Sequence, residues 1–95
     1  MREVSVQQVP ADAQLVDVRE ISEFDEVHAD TAVNIPLGQL ADSAELLDTT
    51  KDIYVICQSG GRSAKAVELL AEQGIEAINV AGGTRAWVEA GLPTG

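Results

Sequence analysis

The sequence has little cysteine, few aromatic residues and few basic residues, and each shortage excludes a class of protein. A single cysteine among 95 residues cannot build a disulfide framework, and no signal-peptide pattern opens the sequence, so we expect a reducing, cytoplasmic setting. Six Lys and Arg against 16 Asp and Glu give a net charge of −10, so neither nucleic acids nor anionic membranes are expected partners. No stretch approaches the roughly 20 apolar residues of a membrane span, and a domain this acidic is expected to be a monomer.

The hydrophobic residues are aliphatic rather than aromatic, and this limits the core that the chain can build. They make up 45% of the sequence, whereas aromatic residues make up only 3%. Such a composition suits a parallel sheet covered by helices. Strand-like runs at residues 3–6, 15–18, 32–35, 52–56 and 77–80 alternate with helix-like segments. We therefore predict one α/β domain over residues 1–95, with a five-stranded, mostly parallel sheet and helices on both faces.

The segments between the strands carry about four helix signals. These are a capping-box pattern starting at Ser22, apolar residues on one face at 40–47, an apolar face at 64–71 ended by Gly74, and a segment around Trp87 ended by Gly91. Ile75 is expected to fold back on Leu70, and Leu92 on Trp87. Gly82 and Gly83 are interpreted as turn glycines and Trp87 as a core residue.

The only cysteine, Cys57, stands between a predicted strand and a predicted helix. Ligand sites in open α/β sheets lie at the carboxyl ends of the strands, which is where this thiol falls. The loop from Gln58 to Ser63 opens into a helix N-terminus, whose unpaired N–H groups favour negative charge. Gly60 and Gly61 let successive amides face inward as an anion-binding nest. The sequence thus predicts a reactive thiolate inside an anion site.

Taken together, the motifs resemble those of the rhodanese family of sulfurtransferases in its single-domain form. The resemblance covers nearly the whole chain and is carried by residues 15–20 (LVDVRE), 23–24 with His28, 34–37 (NIPL), 57–63 (CQSGGRS) and 82–87 (GGTRAW). One segment departs: residues 27–31 (VHADT) stand where the family usually has Gly-His-Ile-Pro-Gly, so the loop there is expected to differ in shape.

The resemblance implies transfer of sulfane sulfur from thiosulfate or a related anionic donor to a thiol, a sulfur-relay protein or cyanide, without a metal or other cofactor. Cys57 would be the catalytic residue, carrying the sulfur as a persulfide. The donor would be bound by the loop residues Gln58, Ser59, Gly60, Gly61, Arg62 and Ser63. Behind them, Arg19 and Asp17 would form a second layer. Since the loop carries one arginine and no lysine, we expect only modest turnover with thiosulfate.

The sequence leaves two possible roles open for several of these side chains. Arg62 would either pair with the donor or brace the loop through a carboxylate such as Asp17 or Glu20. Arg19 would add positive potential or form a structural ion pair, the second being preferred. Ser63 is expected to cap the helix rather than contact the anion. Lys65 is expected to face solvent, and the lone His28 to make a structural hydrogen bond.

Two other functions compete with sulfur transfer. Phosphatases of the same superfamily also use a Cys-to-Arg loop, but theirs holds one more residue, whereas four residues separate Cys57 from Arg62 here. The loop also lacks an aspartate to protonate a leaving group. The other alternative is a non-enzymatic sulfur carrier or regulatory binding module. The absence of a second cysteine excludes an intramolecular thiol–disulfide cycle.

Overall fold

A five-stranded parallel sheet forms the centre of the molecule in the computed structural model, which describes all 95 residues. Its strands are β1 (Arg2–Val4), β2 (Gln14–Asp17), β3 (Val33–Asn34), β4 (Ile53–Ile56) and β5 (Ile78–Val80). Their spatial order is β1-β5-β4-β2-β3, and every neighbouring pair is parallel. The predicted α/β sheet is confirmed. β2 has the predicted four residues but begins one residue earlier, whereas each of the other strands is shorter than predicted. Val6 lies in a 3-10 helix rather than in β1.

Helices cover both faces of this sheet. They are α1 (Ile21–Glu26), α2 (Leu40–Ser43), α3 (Gly61–Glu72) and α4 (Gly83–Glu89). Short 3-10 helices add one turn each at Val6–Gln8, Leu37–Gln39 and Ala44–Leu46. The longest helix, α3, has 12 residues, and no helix has the length and apolar character needed to cross a membrane.

Successive residues of β4 alternate between two separate apolar clusters, as a pleated strand requires. Ile53 and Val55 enter one cluster together with Leu40 and Leu70, on the side of α2 and α3. On the opposite face, the second cluster contains Tyr54 and Ile56 of β4. Trp87 of α4 is buried there and donates its indole N–H to the Pro93 carbonyl at 2.7 Å. The core is thus aliphatic, as the composition indicates.

Two helix predictions were wrong in detail. The cap of α1 is Glu20 rather than Ser22, because the Glu23 carboxylate reaches back to accept from the Glu20 N–H at 3.2 Å. The single helix expected at 40–47 is the short α2 flanked by two 3-10 turns. Its predicted apolar face is nevertheless buried, at Leu40, Ala44 and Leu47.

Local backbone hydrogen bonds confirm the predicted ends of the last two helices. The Ile75 N–H donates to the Leu70 carbonyl at 2.9 Å, and the Leu92 N–H donates to the Trp87 carbonyl at 3.2 Å. Gly74 and Gly91 have φ of +78° and +70°, the left-handed conformation of a helix-ending glycine. Both helices therefore stop where the next segment turns back onto the core.

Candidate active site

Cys57 lies directly after β4, at the carboxyl edge of the sheet, and its sulfur lies against hydrogen-bonding groups of the loop. The Gly60 N–H donates to Sγ at 3.1 Å, and the Ser63 hydroxyl lies 3.3 Å from it. Burial raises the pKa of the thiol, but hydrogen bonds from the Ser63 hydroxyl and from the amides of Ser63, Gly60 and Ser59 outweigh it, so the pKa falls below its usual value. The peptide dipoles point at the sulfur, as the sequence predicts.

The same residue is almost completely enclosed. Cys57 is 1% exposed and packs on one side against the cluster that contains Val18 and Ala66. Its other side faces the polar loop. A donor therefore reaches the sulfur only through the loop, where the amides lie.

The conformation of the loop depends on Gly60, which has a φ of +113°. Such an angle strains any residue with a side chain, and here it turns the Gly60 amide toward Cys57. Gly60 is also the N-cap of α3, so the prediction that Ser63 caps this helix was wrong. Ser63 lies in the first turn of the helix and is fully buried, with its hydroxyl near both Cys57 and the Gly60 carbonyl. Its side chain faces the sulfur rather than the helix end.

Arg62 is held by a carboxylate that the sequence analysis did not name. Its two terminal nitrogens donate to the two carboxylate oxygens of Glu23 at 2.7 and 2.9 Å, joining α3 to α1. The hydrogen bonds from Arg62 are the main reason that the pKa of Glu23 falls to about 2. Neither Asp17 nor Glu20, the partners considered above, makes this contact. The pair is ionised near neutral pH and braces the loop.

Arg19 and Asp17 form the structural ion pair that the sequence analysis preferred. The guanidinium donates to both carboxylate oxygens of Asp17 at 2.8–3.1 Å, and the two side chains are 2% and 0% exposed. It also donates to the Gln58 side chain at 3.2 Å and to the Val27 carbonyl at 2.7 Å. One buried arginine thus joins the end of β2, the active-site loop and the segment that departs from the family motif.

The start of α4 supports the loop from the other side, a role that the sequence analysis missed. The Thr84 N–H donates to the Cys57 carbonyl at 2.7 Å, and the Arg85 N–H donates to the Gln58 carbonyl at 3.1 Å. This contact requires Gly83, because a Cβ there would lie 2.5 Å from the Cys57 carbonyl oxygen and 2.6 Å from Gln58. Gly83 also has a φ of +59°. It does more than end a turn, since it lets a helix touch the active-site backbone.

Replacing Gly83 with alanine is expected to lower the free energy of unfolding by about 2–4 kcal/mol, because left-handed strain adds to overpacking. Urea denaturation measures this loss. Gly38→Ala is the control, since its Cβ would have no neighbour within 4 Å and its φ is not left-handed. A Gly83→Ala protein as stable as the Gly38→Ala protein would contradict the close approach described here.

The remaining predicted side chains lie at the edge of this arrangement. The ring of His28 stacks on Phe24 with centroids 3.7 Å apart, and its Nδ1 lies 2.8 Å from the Phe24 carbonyl. This is the structural hydrogen bond expected for a lone histidine. Ser59 is exposed and Lys65 faces solvent. No three His, Cys, Asp or Glu side chains are arranged to hold a metal ion.

Comparison with known proteins identifies the family. The model of the rhodanese-like domain matches residues 4–90. The chain belongs to the rhodanese-like domain family. It is 42% identical to the Bacillus subtilis protein named "Putative sulfurtransferase YtwF" over 73 residues, which are 77% of this chain and 71% of that protein. It is also 42% identical over 84 residues to "Putative sulfur carrier protein YrkF" of the same organism, covering 85% of this chain but only 45% of YrkF.

Solved rhodanese structures have the same fold. A rhodanese-related protein from Thermoplasma volcanium superimposes with a TM-score of 0.91 at 32% identity, covering 100% of this chain and 98% of that one. A rhodanese-like domain protein from Staphylococcus aureus gives 0.83 at 32% identity, covering 92% and 91%. The rhodanese-like domain thus accounts for the whole sheet and for the loop around Cys57.

Proposed function

We propose that this rhodanese-like domain transfers sulfane sulfur through a persulfide on Cys57. The proposal depends on one observation. The Cys57 sulfur accepts a hydrogen bond from the Gly60 N–H at 3.1 Å and lies at the N-terminus of α3. Backbone donors placed in this way stabilise a thiolate and, equally, the anionic persulfide that replaces it. The names of YtwF and YrkF support the same chemistry.

The reaction has two displacement steps. The Cys57 thiolate attacks the outer sulfur of the donor, forming one S–S bond while the S–S bond of thiosulfate breaks and sulfite leaves with the electron pair. An acceptor thiolate then attacks the outer sulfur of the persulfide, and the Cys57 thiolate leaves. Charge is conserved in each step, and no redox cofactor is required.

The charges around the sulfur favour donors that carry less charge than thiosulfate. Arg62 is neutralised by Glu23 and Arg19 by Asp17, so both cations close to the loop already have carboxylate partners. For a dianionic donor, the loop then offers backbone amides and serine hydroxyls but no unpaired arginine. A small-molecule persulfide carries a single charge on its outer sulfur, so it needs no further cation in order to bind. We propose that such a persulfide is the preferred donor and that thiosulfate is used slowly.

Glu23→Gln is expected to raise kcat/KM for thiosulfate by roughly 10-fold, the equivalent of one charge-assisted hydrogen bond from the released Arg62. Its kcat/KM for a small-molecule persulfide should change much less. Steady-state assays with both donors measure this difference. Glu26→Gln removes the same charge from an exposed position on the same helix, and it serves as the control. A thiosulfate rate unchanged by Glu23→Gln would show that Arg62 does not limit donor choice.

Intact-mass spectrometry tests the proposed function directly. Fully reduced protein incubated with thiosulfate, or with a persulfide donor, should gain the mass of one sulfur atom and lose it on addition of a thiol. The absence of an adduct with either donor would favour a binding module instead. Rapid turnover of a chromogenic aryl phosphate would favour the phosphatase alternative.

The name of YrkF raises a second candidate, in which the domain holds sulfur for a partner protein rather than turning over free substrates. The enclosure of Cys57, which is 1% exposed, favours long storage of the persulfide. The two candidates differ in rate. A carrier keeps its extra sulfur in the presence of small thiols, whereas an enzyme releases it within its turnover time.

A further inference from the structure

A line of polar side chains runs from the sulfur of Cys57 to the surface at β1. The Ser63 hydroxyl lies 3.3 Å from Sγ and 2.5 Å from Oδ1 of Asn79. The Asn79 amide nitrogen donates to a Glu3 carboxylate oxygen at 2.8 Å. Ser63 and Asn79 are 0% and 1% exposed, whereas Glu3 is exposed on the edge strand. None of the motifs in the sequence analysis included Asn79 or Glu3.

Proton counting along this line fixes the direction of each hydrogen bond. Because the Glu3 carboxylate can only accept, it holds the amide nitrogen of Asn79 toward itself and turns Oδ1 toward Ser63. The amide oxygen has no proton of its own, and at 2.5 Å it lies closer to the Ser63 hydroxyl than the Gly60 carbonyl does at 3.2 Å. The single hydroxyl proton of Ser63 is therefore donated to Asn79. Ser63 then presents a lone pair to Cys57, which suits a protonated thiol and not a thiolate.

Ionisation of Cys57 therefore changes the state of Ser63. To stabilise the thiolate, the hydroxyl proton must turn from Asn79 to the sulfur. The amide oxygen of Asn79 would then be left as a buried acceptor without a donor, which destabilises the ionised state. The network opposes ionisation, while the Gly60 amide favours it.

We infer that Asn79 is a positioning residue that limits the thiolate fraction of Cys57 by competing for the Ser63 proton, and that Glu3 orients it for this purpose. The inference rests on the proposed function only in treating the thiolate as the reacting form. Asn79 touches neither substrate nor sulfur and acts through Ser63.

Other charged groups near Cys57 also affect the pKa of its thiol, so their ion pairs must stay intact in any variant used as a test. Arg62, paired with Glu23, approaches from α3 and α1. The Arg19–Asp17 pair approaches from the end of β2. None of them contacts Asn79 or Glu3 through a hydrogen bond, so substitutions at positions 79 and 3 leave both ion pairs in place.

The experiment is a pH titration of the thiolate ultraviolet absorbance, with the Cys57→Ala protein as the blank for tyrosine. Asn79→Leu removes the competing acceptor and should lower the thiol pKa by about one unit. Glu3→Ala should shift it in the same direction, because the released amide can turn its nitrogen toward Ser63. Glu3→Gln keeps an acceptor for Asn79 and should stay near the wild-type value.

Two controls separate this network from simple charge removal. Glu76→Ala deletes a carboxylate whose side chain is 80% exposed and should leave the titration unchanged. In a Ser63→Ala background, Glu3→Ala should no longer shift the thiol pKa, because the proton in question is gone. The titration contains no sulfur donor, so its result is independent of whether the protein transfers sulfur.

Each outcome decides the inference. A lower thiol pKa in Asn79→Leu or Glu3→Ala that disappears in the Ser63→Ala background supports it. An unchanged or higher value in both variants would overturn it, as would equal shifts in Glu3→Gln and Glu3→Ala. If Asn79→Leu does not fold, the surface variant Glu3→Ala decides alone.

Discussion

Replacing Cys57 with alanine is expected to abolish sulfur transfer, lowering kcat/KM by roughly 1,000-fold or more with every donor. The chain has no second cysteine to take over as nucleophile, and the Ser63 hydroxyl, 3.3 Å from Sγ, is a far weaker nucleophile than a thiolate. A steady-state assay with thiosulfate and cyanide, together with intact-mass spectrometry, measures the loss. Both the transfer rate and the sulfur adduct should disappear.

Cys57→Ser is the matched variant, since it keeps a polar atom of similar size in the same position. It should retain the fold and the loop contacts of Thr84, with the circular dichroism spectrum of the wild type, while remaining inactive. Residual transfer by either variant above one per cent of wild type would show that the persulfide forms elsewhere or not at all.

Asp17→Ala is expected to lower the free energy of unfolding by about 3–5 kcal/mol, because it leaves the buried Arg19 guanidinium without its carboxylate. The pair is 2% and 0% exposed, so water cannot replace the lost partner. A domain of this size has a total stability of about 5–15 kcal/mol, so the variant loses a large share of it. Urea denaturation monitored by circular dichroism measures the change.

The exposed pair Arg85–Glu89 provides the control for this prediction. Its side chains are 74% and 68% exposed, and the two residues are one helical turn apart. Glu89→Ala should therefore change stability by about 0.5 kcal/mol or less. If Asp17→Ala were equally mild, the pair at β2 would not hold the active-site loop in the way that the contacts of Arg19 indicate.

The fold and the nucleophile could be predicted from the sequence because both depend on local patterns. Apolar runs identify the strands, and their alternation with helices identifies a parallel sheet. The position of Cys57 at a strand end follows from the same reading. Boundaries were less accurate, since Val6 and the 40–47 segment are shaped by tertiary contacts that no local pattern reports.

The partners of the site residues could not be predicted, because they are far apart in the sequence. Glu23 and Arg62 are separated by 39 positions, and the choice of Glu23 over Glu20 depends on which face of α1 meets α3. Asn79 and Glu3 are 76 positions apart. The Gly-Gly pair at 82–83 was visible, but the close approach of Gly83 to the active-site backbone depends on how α4 packs.

The enclosure of Cys57 also determines which covalent products the protein can form. A disulfide requires two sulfur atoms about 2 Å apart and Cα atoms about 5.5 Å apart. With the only thiol lying 1% exposed beneath its own loop, two folded molecules cannot bring their sulfurs to that distance. Air oxidation of the folded protein should therefore yield no covalent dimer, and only slender reagents can modify the thiol.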